Sequence, residues 1–329
     1  MAGARRGRAG IAWLLLIFVT PAVADDFYPL GRRHPVQGVF LSPPLTGPEV
    51  LPSGRWRLGW RLEESNTLNR GAVSLRSQVL LDTEVTRLAV DLARGLGGGW
   101  ELRVELPWKR RWGGVLDRPI EVVERAVGQS NPLRAQLARN GSRLLLLDAG
   151  VRVIDQRAGA SGWGDLEVGL VRGGVLTSGL EVSGEVRLAL ATGDRKAWLG
   201  SGGMDAAVVL RAGRGDRPLA WTTQIAWIDP ADPFRERPGG LRTRRHLELS
   251  AGLRGRLTGN LKGELQLAWR QSAIGGSRLD EFEQDLWELA AGLAWPLGER
   301  LIWQVGLIEN LVVAPGADVT LYSRFVFRP

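Results

Sequence analysis

Residues 287–295 read Trp-Glu-Leu-Ala-Ala-Gly-Leu-Ala-Trp, and this string restricts the fold more than any other in the chain. In an extended backbone successive side chains point to opposite faces. Trp287, Leu289, Ala291, Leu293 and Trp295 therefore share one face, and Glu288, Ala290, Gly292 and Ala294 take the other. Tryptophan caps the apolar face at both ends. Eight steps of about 3.3 Å, tilted by about 40°, cover roughly 20 Å of height. That is close to the apolar band of an outer-membrane barrel, whose aromatic girdles sit at the two lipid–water interfaces. Trp100-Glu-Leu-Arg-Val-Glu-Leu-Pro-Trp108 repeats the pattern. A soluble sandwich can yield one such strand; two of them, in a chain of similar strands, favour a membrane barrel. The interface aromatics expected on this basis are Trp56, Trp60, Trp100, Trp108, Trp221, Trp227, Trp287 and Trp295.

The N-terminus states a destination. Arg5, Arg6 and Arg8 precede an apolar run from Ile11 to Val19, and Ala22-Val23-Ala24 precedes Asp25. This is the pattern of a secretory signal peptide over residues 1–24, cut after Ala24. An uncleaved anchor would need about 20 apolar residues. No later run reaches about 18, so no transmembrane helix is expected, and a closed β-barrel is the other architecture that satisfies its backbone inside a bilayer. The expected location is the outer membrane. Its lipid and lipopolysaccharide become the expected partners, with the barrel-assembly machinery during biogenesis. Export, and a net charge of +8 built from both signs throughout, argue against a nucleic-acid partner. The absence of cysteine removes disulfides and thiolate metal sites.

The pattern predicts an all-β fold, an antiparallel up-and-down transmembrane barrel over residues 54–329. Residues 25–53 carry Pro29, Pro35, Pro43, Pro44, Pro48 and Pro52 and read as an irregular lead-in. The first strand is expected at 55–62, followed by a loop at 63–71. From residue 164 onward, short turns at 173–178, 214–217, 256–259 and 296–299 alternate with longer loops at 191–202, 229–242, 272–283 and 311–317. Short periplasmic turns and long external loops are the asymmetry of such barrels. The short turn at 95–99 then places 109–163 outside, as an external or plugging insertion. Residues 72–93 become one long strand. Its apolar phase shifts between Leu81 and Leu88, which a β-bulge near Asp82–Glu84 would explain. The count comes to about 12 strands, with 10 or 14 also compatible with the evenness rule. Within the insertion, Asp117 can cap a short helix that Gly128 stops, and Leu144–Leu147 with Val151–Ile154 fit a hairpin.

Two resemblances follow from local strings. Gly162-Trp163-Gly164-Asp165-Leu166-Glu167-Val168-Gly169-Leu170, with Leu190-Ala191-Thr192-Gly193-Asp194 and Leu199-Gly200-Ser201-Gly202, resembles an outer-membrane channel-like family associated with the meta-pathway of phenol degradation. Leu81-Asp82-Thr83-Glu84, Glu105-Leu106-Pro107-Trp108 and Trp112-Gly113-Gly114-Val115-Leu116-Asp117, together with Gly164-Asp165, resemble an uncharacterised bacterial envelope family catalogued as domain of unknown function 3187. The second resemblance implies the same architecture and no activity. Barrels of these kinds usually end on an aromatic that the assembly machinery reads; here Phe325 and Phe327 are followed by Arg328-Pro329.

Chemistry has few places to sit. His34 and His246 are the only histidines, and Ser250 lies about 13 Å along the strand from His246, too far for a catalytic pair. No catalytic residue, cofactor or metal site is expected. The lumen candidates are Glu101, Arg103, Glu105, Glu181, Glu185, Arg187, His246, Glu248, Lys262, Glu264, Arg270 and Glu288, with signs balanced around the wall. Arg110, Arg111, Arg235, Arg237, Arg242, Arg244 and Arg245 fall in the expected external loops, where guanidinium groups could pair with lipopolysaccharide phosphates. The functional expectation is a passive channel or diffusion facilitator for a small solute. Its alternatives are a sealed-lumen barrel with a structural, binding or envelope-assembly role, and a soluble periplasmic β-protein.

Overall fold

The computed structural model describes residues 27–329, apart from 127, 129–130, 178, 216–218, 236–239, 278 and 313–315. The expected leader, its cut after Ala24, and Arg237 lie outside the described residues. Twelve antiparallel strands form one closed barrel. In chain order they are β1 (Trp56–Ser74), β2 (Ser77–Gly97), β3 (Trp100–Trp112), β4 (Leu166–Thr177), β5 (Leu180–Leu190) and β6 (Asp205–Arg214). They continue as β7 (Leu219–Asp229), β8 (His246–Thr258), β9 (Leu261–Arg270), β10 (Leu286–Pro296), β11 (Leu301–Asn310) and β12 (Val319–Phe327). Each pairs with its neighbours, and β1 closes on β12 through a register running from Leu58↔Phe327 to Asn66↔Val319. Closure leaves no unpaired edge, which a bilayer demands. Among the described residues, no helix is long and apolar enough to cross a membrane.

Alternation decides what each face does. Along β10, Trp287, Leu293 and Trp295 are exposed at 41%, 42% and 52%, while Glu288, Ala290 and Ala294 are buried. Register places Trp295 beside Trp303, Trp303 beside Phe325, and Phe325 beside Trp60, an aromatic row near the short-turn end of the wall. Trp269 faces Trp287 nearer the long-loop end. Trp56, Trp100 and Trp227 are also exposed and outward, and Trp108 and Trp221 are half-buried on the same outer face. Leu289→Arg or Leu293→Arg puts a cation between the two girdles. Each is expected to lower unfolding free energy in lipid by roughly 2–4 kcal/mol. A urea titration of the folded barrel in vesicles measures this, and a loss under about 1 kcal/mol would contradict a lipid-facing position near the midplane.

Two expectations about the first strands are corrected. Residues 63–71 are not a loop: β1 runs unbroken to Ser74 and meets β2 in a tight hairpin. No bulge lies near Asp82–Glu84 either, because the β1–β2 register is continuous from Trp56↔Arg94 to Gly71↔Val79. The apolar phase flips because the environment does. Odd-numbered residues of β2 face inward throughout: Val79 and Leu81 sit in an apolar cap, whereas Arg87 and Asp91 face the polar lumen. Even-numbered residues face outward, and become apolar at Leu88 and Val90, both exposed, where the wall enters the lipid band. The flip therefore marks the membrane boundary rather than a defect in the ladder.

Of the expected insertion 109–163, residues 109–112 belong to β3, and the helix and hairpin that follow lie outside the lumen. Helix α1 (Asp117–Ala126) and residues 131–142 lie against the β1–β2 extension. Glu84 accepts hydrogen bonds from the Val115 and Leu116 amides, and Arg134 donates to Asn66. Gly128 ends the helix region with φ +71°, a conformation glycine adopts without strain. The hairpin Arg143–Asp148/Val151–Gln156 then pairs with β2 at Gln78–Asp82. Its Leu144, Leu146, Val153 and Ile154 join Val79, Leu81, Trp198, Phe234 and Phe282 in a buried cluster across the long-loop end. Each such side chain contributes roughly 1.5–3 kcal/mol by leaving water, so apolar packing rather than ion pairing holds that end together.

Candidate functional site

The lumen is filled by the proline-rich N-terminal segment, residues 27–53. From Phe27 and Tyr28, low in the barrel, the chain ascends past β8–β10 and turns at a short 3-10 helix, Gln37–Val39, under the apolar cap. It then descends past β7 and β3 to leave at the short-turn end and enter β1. Tyr28, Leu30, Val36, Gln37, Leu41 and Leu45 are at most 2% exposed. Proline explains why this stretch can sit inside a barrel without joining it. Proline has no N–H to give a ladder and favours extended backbone whose carbonyls remain free. Those carbonyls accept from the wall: Arg61 to Pro29 at 2.9 Å, Gln224 to Pro43 at 2.9 Å and Gln266 to Tyr28 at 2.8 Å.

Charged side chains hold the plug as well. Arg32 pairs with Glu248 at 3.1 Å, and Ser42 donates to the other oxygen of that carboxylate at 2.7 Å. Arg33 and the Tyr28 hydroxyl both bond Glu63. Backbone amides of Tyr28, Leu41 and Leu51 donate to Glu264, Asp205 and Glu101. Tyr28 stacks on Tyr322 with ring centroids 3.5 Å apart. The wall makes room for that stack with glycine: a Cβ at Gly292 would collide with the Tyr322 hydroxyl.

Behind the plug, the wall's own charges are cross-paired. Glu105 receives Arg61 at 2.6 Å, Arg187 at 3.7 Å and Arg87. Glu185 receives Arg211 at 2.7 Å, Arg187 at 3.5 Å and Arg103 at 3.6 Å. Arg254 meets Glu264 at 2.6 Å, Arg270 bridges Glu248 and Glu288, and Arg324 meets Asp91 at 2.9 Å. Buried pairs like these compensate each other's desolvation rather than add much net stability. Two interior cavities of about 70 and 30 Å³ flank the plug.

The twelve lumen candidates all sit on the inward face. Glu101, Arg103, Glu105, Glu185, Arg187, His246, Glu248, Lys262, Glu264, Arg270 and Glu288 are buried, and Glu181 is half-buried near the short-turn end. They belong to several clusters rather than one centre. Sequence reasoning missed Tyr28, Arg32 and Arg33, and with them the wall partner Glu63. Two arginines and an aromatic set among closely spaced prolines were the available signal.

The arginine set divides. Arg110, Arg235, Arg242, Arg244 and Arg245 are exposed at the long-loop end. Arg245 pairs with Asp229 at 3.0 Å, and Arg110 lies 4.2 Å from the Trp112 ring centroid. Arg111 does not share that surface: it is 3% exposed and donates to the Ala197 carbonyl at 2.8 Å. It has the parity of Glu101, Arg103 and Glu105, so the strand turns it inward and away from any lipopolysaccharide.

The family model described as "Protein of unknown function (DUF3187)" matches residues 28–328, plug and barrel together. The chain belongs to this family. No curated protein matches it by sequence. Among solved structures, the COG4313 outer membrane channel from Pseudomonas putida F1 superposes with a TM-score of 0.57 at 15% identity, covering 85% of this chain and 97% of that one. The NanC porin gives 0.48 at 8% identity over 83% and 99%. The first of these likenesses is one of fold, a closed antiparallel β-barrel.

Proposed function

We propose that this protein is an outer-membrane channel for a small polar solute, closed in the present conformation by its own N-terminal segment. The observation that carries the reading is the way the lumen is filled. The barrel closes through its ladder without the plug, and the wall it presents to the plug is charged over much of its face, with apolar seats around Tyr28–Leu30 and Leu41. Many of the contacts between plug and wall are hydrogen bonds and ion pairs that water could replace. A lumen designed to stay shut could be apolar at lower desolvation cost. The short-turn end, where the last strand also finishes, is assigned to the periplasm, and the long-loop end to the outside. Arg110, Arg235, Arg242, Arg244 and Arg245 then face the outer leaflet, where lipopolysaccharide phosphates would meet them. Residues 1–24 are assigned as the export signal cut after Ala24, with barrel-assembly machinery inserting the mature chain.

A second reading, a permanently sealed barrel with a structural or binding role, is favoured by the Tyr28–Tyr322 stack and the glycines that admit it. Liposome swelling with small sugars and amino acids separates the two. Wild type is expected to swell liposomes slowly, and a variant lacking residues 27–50 quickly. A heat-modifiable, folded barrel that passes no solute in either form rejects the channel.

A further inference from the structure

The larger interior cavity, about 70 Å³, lies between plug and wall toward the long-loop end. Among its charged lining residues, arginine and lysine outnumber the acids Asp165 and Glu167, and some of that positive charge has no counter-ion. Arg111 uses one nitrogen on the Ala197 carbonyl, while its Nε and Nη2 are buried with no partner. Lys109, two residues back on the inward face of β3, donates from Nζ to the Gly38 carbonyl at 3.1 Å. Among the described residues neither side chain forms an ion pair. Elsewhere in this lumen, buried arginines are matched to carboxylates, so these two depart from the rule of their own barrel.

His34 adds a neutral donor. Its Nδ1 accepts from the amides of Val36 at 3.0 Å and Gln37 at 2.9 Å, which places the ring proton on Nε2. That Nε2 is buried and also without a partner. The acids that line the cavity are already engaged. Asp165 accepts the amides of Gly193 and Ser201 at 2.8 and 2.7 Å, and Glu167 meets Arg187 at 2.9 Å. A guanidinium buried with open N–H groups and no anion is costly, and a planar oxyanion is the ligand its fork geometry fits. The volume admits a few waters or one small oxyanion.

We propose that this cavity binds a small free oxyanion, the size of phosphate or a short carboxylate, with Arg111, Lys109 and His34 as donors. The site opens on the lumenal side of the wall, so the ligand is a dissolved solute rather than a lipid headgroup. The proposal does not depend on conduction: a barrel that binds phosphate and stays silent keeps this site and loses only the channel.

The test uses the full folded barrel in detergent, titrated with sodium phosphate and with sodium acetate against sodium chloride at constant ionic strength. Calorimetric heat and thermal unfolding are followed together. Wild type is expected to show saturable heat and a rise in Tm with phosphate, acetate or both, beyond the chloride control. Arg111→Gln should weaken that binding by at least about tenfold, and Lys109→Gln should weaken it too. Arg110→Gln, on the outward face of the same strand, should leave it unchanged. If Arg111→Gln loses heat-modifiable folding, Lys109→Gln decides alone. Equal responses to chloride and both oxyanions, or unaltered binding in the folded inward variants, overturn the site.

Discussion

Deleting residues 27–50 is expected to convert a nearly silent barrel into one that conducts steadily. The segment removed fills the lumen but contributes no strand, and closure of β1 on β12 does not pass through it. Its loss leaves the wall carboxylates with partners of their own. Glu63 keeps Arg61 and Arg87, and Glu248 keeps Arg270. Water entering the emptied lumen solvates the rest. Eight-stranded barrels fill their interior with side chains, whereas barrels of 16–18 strands hold an aqueous channel. A 12-strand barrel lies between them, so the freed space should be wide enough for hydrated ions. Single-channel conductance in planar bilayers should rise by at least about tenfold over wild type. The deletion also strips Val36, Val39 and Phe40 from the apolar cap, so a lower melting temperature is expected alongside. A folded deletion variant with wild-type conductance would reject the plug-closed channel and leave the sealed barrel, with the cap residues Leu144, Leu146, Val153, Ile154, Trp198, Phe234 and Phe282 still in place.

The parts of this fold that could be read from sequence are those whose partners are set by period. The Trp287–Trp295 strand announces its two faces because a lipid face and a lumenal face differ in polarity at every second residue. The alternation of short and long connections then carried the strand count. Where a strand leaves the membrane the same period misleads, and β2 is the instance. Its apolar residues change sides at the membrane boundary, which in sequence is indistinguishable from a bulge. The plug was illegible for another reason. Tyr28 finds Glu264 across 236 positions, and nothing local to Tyr28 reports that distance. An irregular, proline-rich stretch has no period, so its burial depends wholly on the wall around it. Arg111 is different again. Its parity with Glu105 was available, but a position in a cluster of basic residues suggested an exposed loop, and the strand in fact runs to Trp112.

Glu105→Ala should be among the most damaging truncations of a lumenal charge. The carboxylate is 3% exposed and is met by Arg61, Arg87 and Arg187 from three different strands. Truncation leaves three guanidinium groups to repel one another where one anion had offset their charge. Removing one partner from a buried ion cluster costs about 3–5 kcal/mol. The lower end applies here, because Arg61 and Arg87 retain Glu63, and Arg187 retains Glu167 and Glu185. The expected result is a loss of about 3 kcal/mol in urea unfolding of the vesicle-embedded barrel. Arg152→Ala, which breaks an exposed pair with Asp155 at the rim, should cost under about 1 kcal/mol. A second readout separates electrostatics from packing. In the variant lacking residues 27–50, Glu105→Ala makes the open lumen more positive, so the reversal potential in a salt gradient should move toward anion selectivity. If Glu105→Ala unfolds at the wild-type midpoint, water rather than Glu105 is screening those arginines, and the wall is wetter than its burial implies.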